Sequence, residues 1–170
     1  MHSLKAYWLM LLALLLAGCS TGERPRIKPE TTDYQETSLY KDVMEVSRFV
    51  DKNYQHANLQ FFGTTAQGKK LPLLIFSNRD VKTPEEARKL GRPVVLFIGD
   101  IHSGEVEGKE ALQRIALDIM DGKYDDTINQ LTILFAPIYN ADGNDMIDKK
   151  HRTNQNGPFG GVGTRANAQG

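Results

Sequence analysis

His102 and Glu105 stand three residues apart in the run Ile98-Gly99-Asp100-Ile101-His102-Ser103-Gly104-Glu105. Imidazole nitrogen and carboxylate oxygen are both ligands that zinc accepts, and catalytic zinc sites use three protein ligands with one position left open. Ser103 and Gly104 let the chain turn tightly, so both side chains can face one ion. Alone, His-x-x-Glu is common by chance, and its flanks are what make it specific. Val94 to Ile98 is a continuous apolar run that predicts a strand buried on both faces. From about Val106 onward, Ala111, Leu112, Ile115, Ala116, Ile119 and Met120 recur at helical spacing. The pair therefore falls between a strand's carboxyl end and a helix start, where open α/β sheets place their chemistry. A competing reading makes Glu105 a carboxylate that simply favours a helix amino terminus. By position the two readings stand level. Glu107 and Glu110 fall within the helix, where capping or exposure accounts for them.

A second group follows the next apolar run. Leu131 to Pro137 predicts another buried strand, and strand, helix, strand at this spacing is a βαβ crossover with parallel strands. Beyond it, Asn140-Ala141-Asp142-Gly143 and His151-Arg152-Thr153-Asn154 lie in a long polar loop. A structureless loop of that length is functional or disordered. Beside a metal, Arg152 could polarise a carbonyl or grip a carboxylate through its fork of donors. Arg165 could do the same. Each arginine also reads as ordinary surface charge.

The elements that must position these groups are legible around them. Ser38 predicts the N-cap of a helix carrying Leu39, Val43, Val46, Phe49 and Val50, which ends between Asn53 and His56. Leu59 to Thr64 and Leu71 to Ser77 predict two strands, joined through Gly68. Thr83, Pro84 and Glu86 have the spacing of a capped short helix. Gly122 ends the helix after the metal pair, and Tyr124 to Gln130 reads as a polar connection. The fold class is α/β, a mixed β-sheet flanked by helices.

Composition and address narrow the function. The 21 basic and 21 acidic residues cancel, so no basic field argues for nucleic acid. Met1 to Lys5 is positively charged, and the apolar stretch Ala6 to Ala17 is too short to span a bilayer comfortably. It ends in Leu16-Ala17-Gly18-Cys19, which resembles a bacterial lipobox. The resemblance implies a lipoprotein signal peptide over 1–18 and lipidation of Cys19. Ser20 in place of an aspartate implies the outer membrane, facing the periplasm, with secretion as the alternative. Residues 19–36, polar and carrying Pro25 and Pro29, read as a flexible tether, and 37–170 as the domain. Cys19 is the one cysteine, so no disulfide stabilises the mature chain.

Taken together, the motifs resemble the M14 family of zinc metallocarboxypeptidases. His102 and Glu105 match the family's His-x-x-Glu metal motif. Asn140-Ala141-Asp142-Gly143 is similar to its Asn-Pro-Asp-Gly motif, with alanine for proline. His151-Arg152-Thr153-Asn154 looks like its Trp-Arg-Lys-Asn segment, and Gly163 to Gly170 like the lead-in to its substrate-binding Asn-Arg pair. The resemblance implies a carboxypeptidase fold, one Zn2+ ion on His102, Glu105 and a further histidine, and a peptide substrate. It makes Arg152 the residue that polarises the carbonyl and stabilises the oxyanion, with Arg165 as runner-up. The third zinc ligand, the Asn-Arg pair, a substrate tyrosine and the general-base glutamate would all follow Gly170. The chain then reads as an amino-terminal fragment, truncated before the fold is complete and inactive alone. Two alternatives remain: an aspartoacylase-like zinc deacylase of N-acyl amino acids, and a lipid-anchored binding domain without catalysis.

Overall fold

A computed structural model describes residues 23–78 and 80–169; the expected signal peptide and Cys19 lie outside them. Its spine is a four-stranded sheet in the order β1-β2-β4-β3. The strands β1 (Ala57–Thr64) and β2 (Lys70–Phe76) form an antiparallel hairpin. Next to β2 lies β4 (Thr132–Ala136), antiparallel to it, and β3 (Val94–Ile98) pairs in parallel with β4, from Val94 opposite Thr132 to Ile98 opposite Ala136. The sheet is mixed, and the helix α4 (Val106–Met120) makes the parallel crossover from β3 to β4.

Strand alternation sorts the core. Leu74, Phe76, Ile133 and Phe135 share one cluster with Val46 and Val50 of α2 (Tyr40–Asn53) and with Leu112, Ala116 and Ile119 of α4. Their neighbours Leu73, Ile75 and Leu134 pack with Val81, Ala87 and Leu90, at the helix α3 (Pro84–Leu90). The Phe135 ring meets Phe76 and Phe97 edge to face, with centroids 5.2 and 5.5 Å away, the orientation that aromatic quadrupoles favour. The capping box expected for α3 forms: Thr83 Oγ1 accepts from the Glu86 N–H, Glu86 accepts from the Thr83 N–H, and Gly91 closes the helix at φ 63°.

Four expectations are corrected. The strand β3 is not buried on both faces: Val94, Leu96, Phe97 and Ile98 are exposed, because β3 is an edge strand and nothing among the described residues covers it. Ser38 does not cap α2. Leu39 holds that position, its N–H donating to Asp42, while Ser38 turns its hydroxyl to Glu110. Residues 125–130, expected as a polar connection, form the helix α5 (Asp125–Gln130), because Ile128 is drawn into the core. The described part of the expected tether is docked rather than free. It contains α1 (Lys28–Thr31), buries Ile27 to 6% exposure in the main core and ties Arg24 to Asp121 at 2.8 Å. A single isoleucine in a polar run carries little periodic signal, which is why composition alone reads as linker.

A buried polar junction clamps these parts together. Lys109 on α4 is fully buried, and its ammonium donates to the Ser38 carbonyl at 2.6 Å and to Asn144 Oδ1. Glu110 beside it accepts from Thr37 Oγ1 at 2.6 Å, Ser38 N–H at 2.8 Å and Ser38 Oγ at 2.6 Å. Burial lowers the lysine's pKa, and the carboxylates of Glu110 and Asp100 oppose that. Replacing Glu110 with alanine strips Thr37 and Ser38 of their acceptor and leaves the Lys109 charge underpaired. The expected cost is about 3–5 kcal/mol, read as a fall in the urea midpoint. A wild-type midpoint for Glu110→Ala would refute the role of this junction.

Candidate metal centre

The loop that carries the candidate ligands leaves β3 through Gly99. A Cβ there would come within 2.8 Å of the Pro137 carbonyl and 3.0 Å of the Lys109 amide nitrogen, so only glycine lets β3, β4 and α4 converge this closely. Two backbone bonds then stitch the two strand-end loops together, Tyr139 N–H to Gly99 O at 3.1 Å and Asn140 N–H to Asp100 O at 2.9 Å. Asp100 takes a left-handed φ of 56° and is buried. Ser103 donates its one hydroxyl proton to the Asn140 carbonyl at 2.7 Å and lies 3.1 Å from Asp100 Oδ2. Burial pushes Asp100 up to about 7, against the pull of Lys109 and Ser103.

On this stitched loop His102 Nδ1 and Glu105 Oε1 are 3.5 Å apart, with 40% and 45% of their side chains exposed. Glu105 occupies the N-cap position of α4 but makes no capping hydrogen bond, so the helix-terminus reading does not account for its orientation. Its carboxylate turns to His102 and accepts from Arg152 Nη2 at 2.9 Å. That bond is the main reason Glu105 is held below the usual carboxylate range; desolvation opposes it, and the charges of Arg152 and His102 add to it. Arg152 itself sits at φ 54° and keeps a buried Nε–H with no hydrogen-bond partner.

The donor pair fits zinc. Two ligands at 2.0–2.2 Å from a tetrahedral ion are roughly 3.3–3.6 Å apart, and the observed separation is 3.5 Å. Glu105 is kept ionised, as a ligand must be. The set is two, however: no group of three His, Cys, Asp or Glu side chains able to hold a metal exists among the described residues. His151 forms no such group with His102 and Glu105; its Nδ1 lies against the Val162 carbonyl at 3.2 Å.

His102 opens into a cleft of about 820 Å³ shared with Ile101, Tyr139, Asn140, Thr164 and Arg165. Asn140 organises this side. Its Oδ1 accepts from Gly143 N–H at 3.1 Å, capping the short helix α6 (Ala141–Asn144), and its amide nitrogen donates to Arg165 O at 3.2 Å and Ala166 O at 3.1 Å. Buried Asp142 accepts from Thr65 Oγ1 at 2.8 Å and Gln67 N–H at 3.2 Å, hanging the β1–β2 turn on the same loop. The structure thus brings His102, Glu105 and Arg152 together, and Arg165 lines the same cleft as His102, which Glu105 and Arg152 do not line. The supports Asp100 and Lys109 carry no signal in the sequence reading, and Ser103 and Asn140 stand there only as a turn residue and a motif member, although Asn-x-Asp-Gly is itself a turn and capping pattern.

The site thus stands as a parallel β3–α4–β4 unit with an imidazole and a carboxylate at its carboxyl edge. The zinc carboxypeptidase family model matches residues 44–170, and the chain belongs to that family. Its fold is similar to that of carboxypeptidase A from Helicoverpa armigera, at 20% identity and a TM-score of 0.56 over 79% of this chain and 30% of that one. It also resembles a metallo-carboxypeptidase from Burkholderia cenocepacia (18%, TM-score 0.57, 81% and 32%). A third likeness is to a Pseudomonas aeruginosa metallo-carboxypeptidase solved with (2-guanidinoethylmercapto)succinic acid (16%, TM-score 0.57, 81% and 31%). The chain spans about a third of the length of these solved structures. No curated protein matches it.

Gly104 sets the Arg152–Glu105 contact. Its φ is 98°, and a Cβ there would lie 2.9 Å from Arg152 Cγ and 2.9 Å from the Gly163 carbonyl. Gly104→Ala should cost more than about 1 kcal/mol and displace Arg152. The pKa of Glu105, followed by carboxyl NMR, should then rise toward the ordinary carboxylate range. An unmoved Glu105 would separate the glycine from the ion pair.

Proposed function

We propose that the intact protein is a zinc-dependent metallocarboxypeptidase that removes carboxyl-terminal residues from peptides outside the cytoplasm. The observation that carries this reading is the orientation of Glu105. At a helix N-cap position it forgoes the cap and faces His102 at a zinc-ligand spacing, in a chain of the zinc carboxypeptidase family.

His102 and Glu105 are the residues that would hold the ion. When bound, zinc supplies Lewis acidity and brings the pKa of water to about 7. What the chain itself does is position charge. Arg152, already beside the ligand pair, would turn its guanidinium donors to the carbonyl under attack and to the oxyanion that forms there. Arg165, lining the same cleft as His102, suits the negatively charged end of a peptide through the same fork of donors. The stitched loop of Asp100, Ser103 and Asn140 holds His102 against the pull of an ion.

A third ligand and a general base complete such a site, and we assign both to sequence outside this chain; the chain alone is inactive. Supporting this are the two-ligand set, the uncovered β3 edge and the coverage of the solved relatives. We further assign the protein to the bacterial outer membrane, held by lipid at Cys19, on the Leu16-Ala17-Gly18-Cys19 tetrad.

In the intact protein, His102→Ala or Glu105→Ala should remove most of the bound zinc, measured by atomic absorption; stoichiometric zinc in either variant would exclude the ligand assignment. Arg152→Ala should lower turnover roughly a hundredfold or more, as loss of an oxyanion donor does, while zinc content holds. Turnover preserved in Arg152→Ala but lost in Arg165→Ala would move the role to Arg165. A fatty-acid probe should label the protein in cells, and Cys19→Ala should abolish the label. Retained labelling would refute the anchor.

A further inference from the structure

The helix α4 gives the molecule two ends. One carries the metal pair, since Glu105 is its N-cap; the other closes at Asp121, its C-cap. The 15 residues between them span roughly 22 Å at 1.5 Å per residue. The chain from Arg24 to Ser38 lies along this helix in the opposite direction. Arg24 pairs with Asp121 at 2.8 Å, Glu30 with Arg114 at 2.8 Å, and Thr37 and Ser38 bond Glu110 at 2.6 Å. Read in order, those contacts step along α4 from its far end toward the site. Ile27, buried in the core cluster that contains Leu112 and Ala116, pins the arm between the two ion pairs. The amino-terminal end of the described chain therefore emerges at the end of α4 remote from His102 and Glu105.

Cys19 precedes Arg24 by five residues, a stretch that reaches at most about 18 Å. We propose that the docked arm mounts the protein with the α4–α5 end, Asp121 to Asp126, against the lipid surface and the metal cleft turned to the aqueous side. This rests on the lipid-anchor reading above. The mount is stiff because swinging the arm free would pull Ile27 from the core and break the pairs of Arg24 and Glu30. The facing end, with Asp121, Lys123, Asp125 and Asp126 exposed around the exposed ring of Tyr124, is mostly charged and lies on headgroups. Substrate class follows from this geometry. Peptide ends free in the aqueous compartment reach the cleft, whereas peptides held at the lipid surface do not.

The experiment uses the full-length lipidated protein in vesicles of phosphatidylethanolamine and phosphatidylglycerol carrying a lipid-borne fluorescence quencher. Fluorophore is placed on single cysteines introduced as Lys123→Cys, beside the α4 C-terminus, or Asn154→Cys, on the loop that carries Arg152. Quenching should be roughly twofold or more stronger at 123, given a separation of about one helix length. Inserting about 20 Gly and Ser residues between Gly22 and Glu23 makes the leash long and flexible and should erase the difference. Equal quenching, stronger quenching at 154, or a difference that survives the insertion overturns the mount while leaving the anchor standing. Absence of fatty-acid label at Cys19 overturns the anchor and the mount with it.

Discussion

Everything near the candidate site depends on how the Lys109 charge is accommodated. A fully buried ammonium must find acceptors in fixed places, because desolvation is costly and an unmatched cation would unfold its surroundings. The acceptors come from separate parts of the chain: the Ser38 carbonyl ahead of α2, Asn144 at the end of α6, and the neighbouring Glu110 on α4. One side chain thereby fixes the start of a helix, the loop after β4 and the helix that begins at Glu105. The strand-end loops meet above it through Gly99, Asp100 and Asn140. His102 and Glu105 inherit their spacing from that framework.

The ligand half-site is electrostatically prepared. Arg152 holds Glu105 ionised through Oε1, the oxygen that also faces His102, while both side chains stay partly exposed. A bound cation would compete with the guanidinium for the same carboxylate, so Arg152 sits where positive charge is wanted in either state. That arrangement links the residue proposed to act on substrate with the residue proposed to hold the ion. Asp100 works differently. Buried and raised to about 7 against the pull of Lys109, it ties the loop to Ser103 by a hydrogen bond.

Local chemistry was legible in the sequence, and distant compensation was not. The Thr83-Pro84-Glu86 cap, the parallel crossover and the pair His102 and Glu105 each follow from residues close together in the chain. The role of Glu110 joins residues more than 70 positions apart, and nothing in its neighbourhood in sequence points to Thr37 or Ser38. Ser38 was misread for the same reason: its hydroxyl had a better partner than the helix it precedes. The docked arm escaped because ion pairs between Arg24 and Asp121, or Glu30 and Arg114, leave no periodic trace. Val94 to Ile98 misled in the opposite direction. An all-apolar strand announces burial on both faces, and its covering elements are absent among the described residues.

That uncovered strand has a cost in the cell. Along β3, unpaired backbone groups lie beside Leu96, Phe97 and Ile98, next to a ladder already in strand geometry. Such an edge recruits any extended chain that comes within reach. While the chain folds, this segment is the adhesive part of the molecule, open to chaperones and to other copies of itself. Once occupied, the same edge would become an interior strand, and its five apolar side chains would change from liability to core.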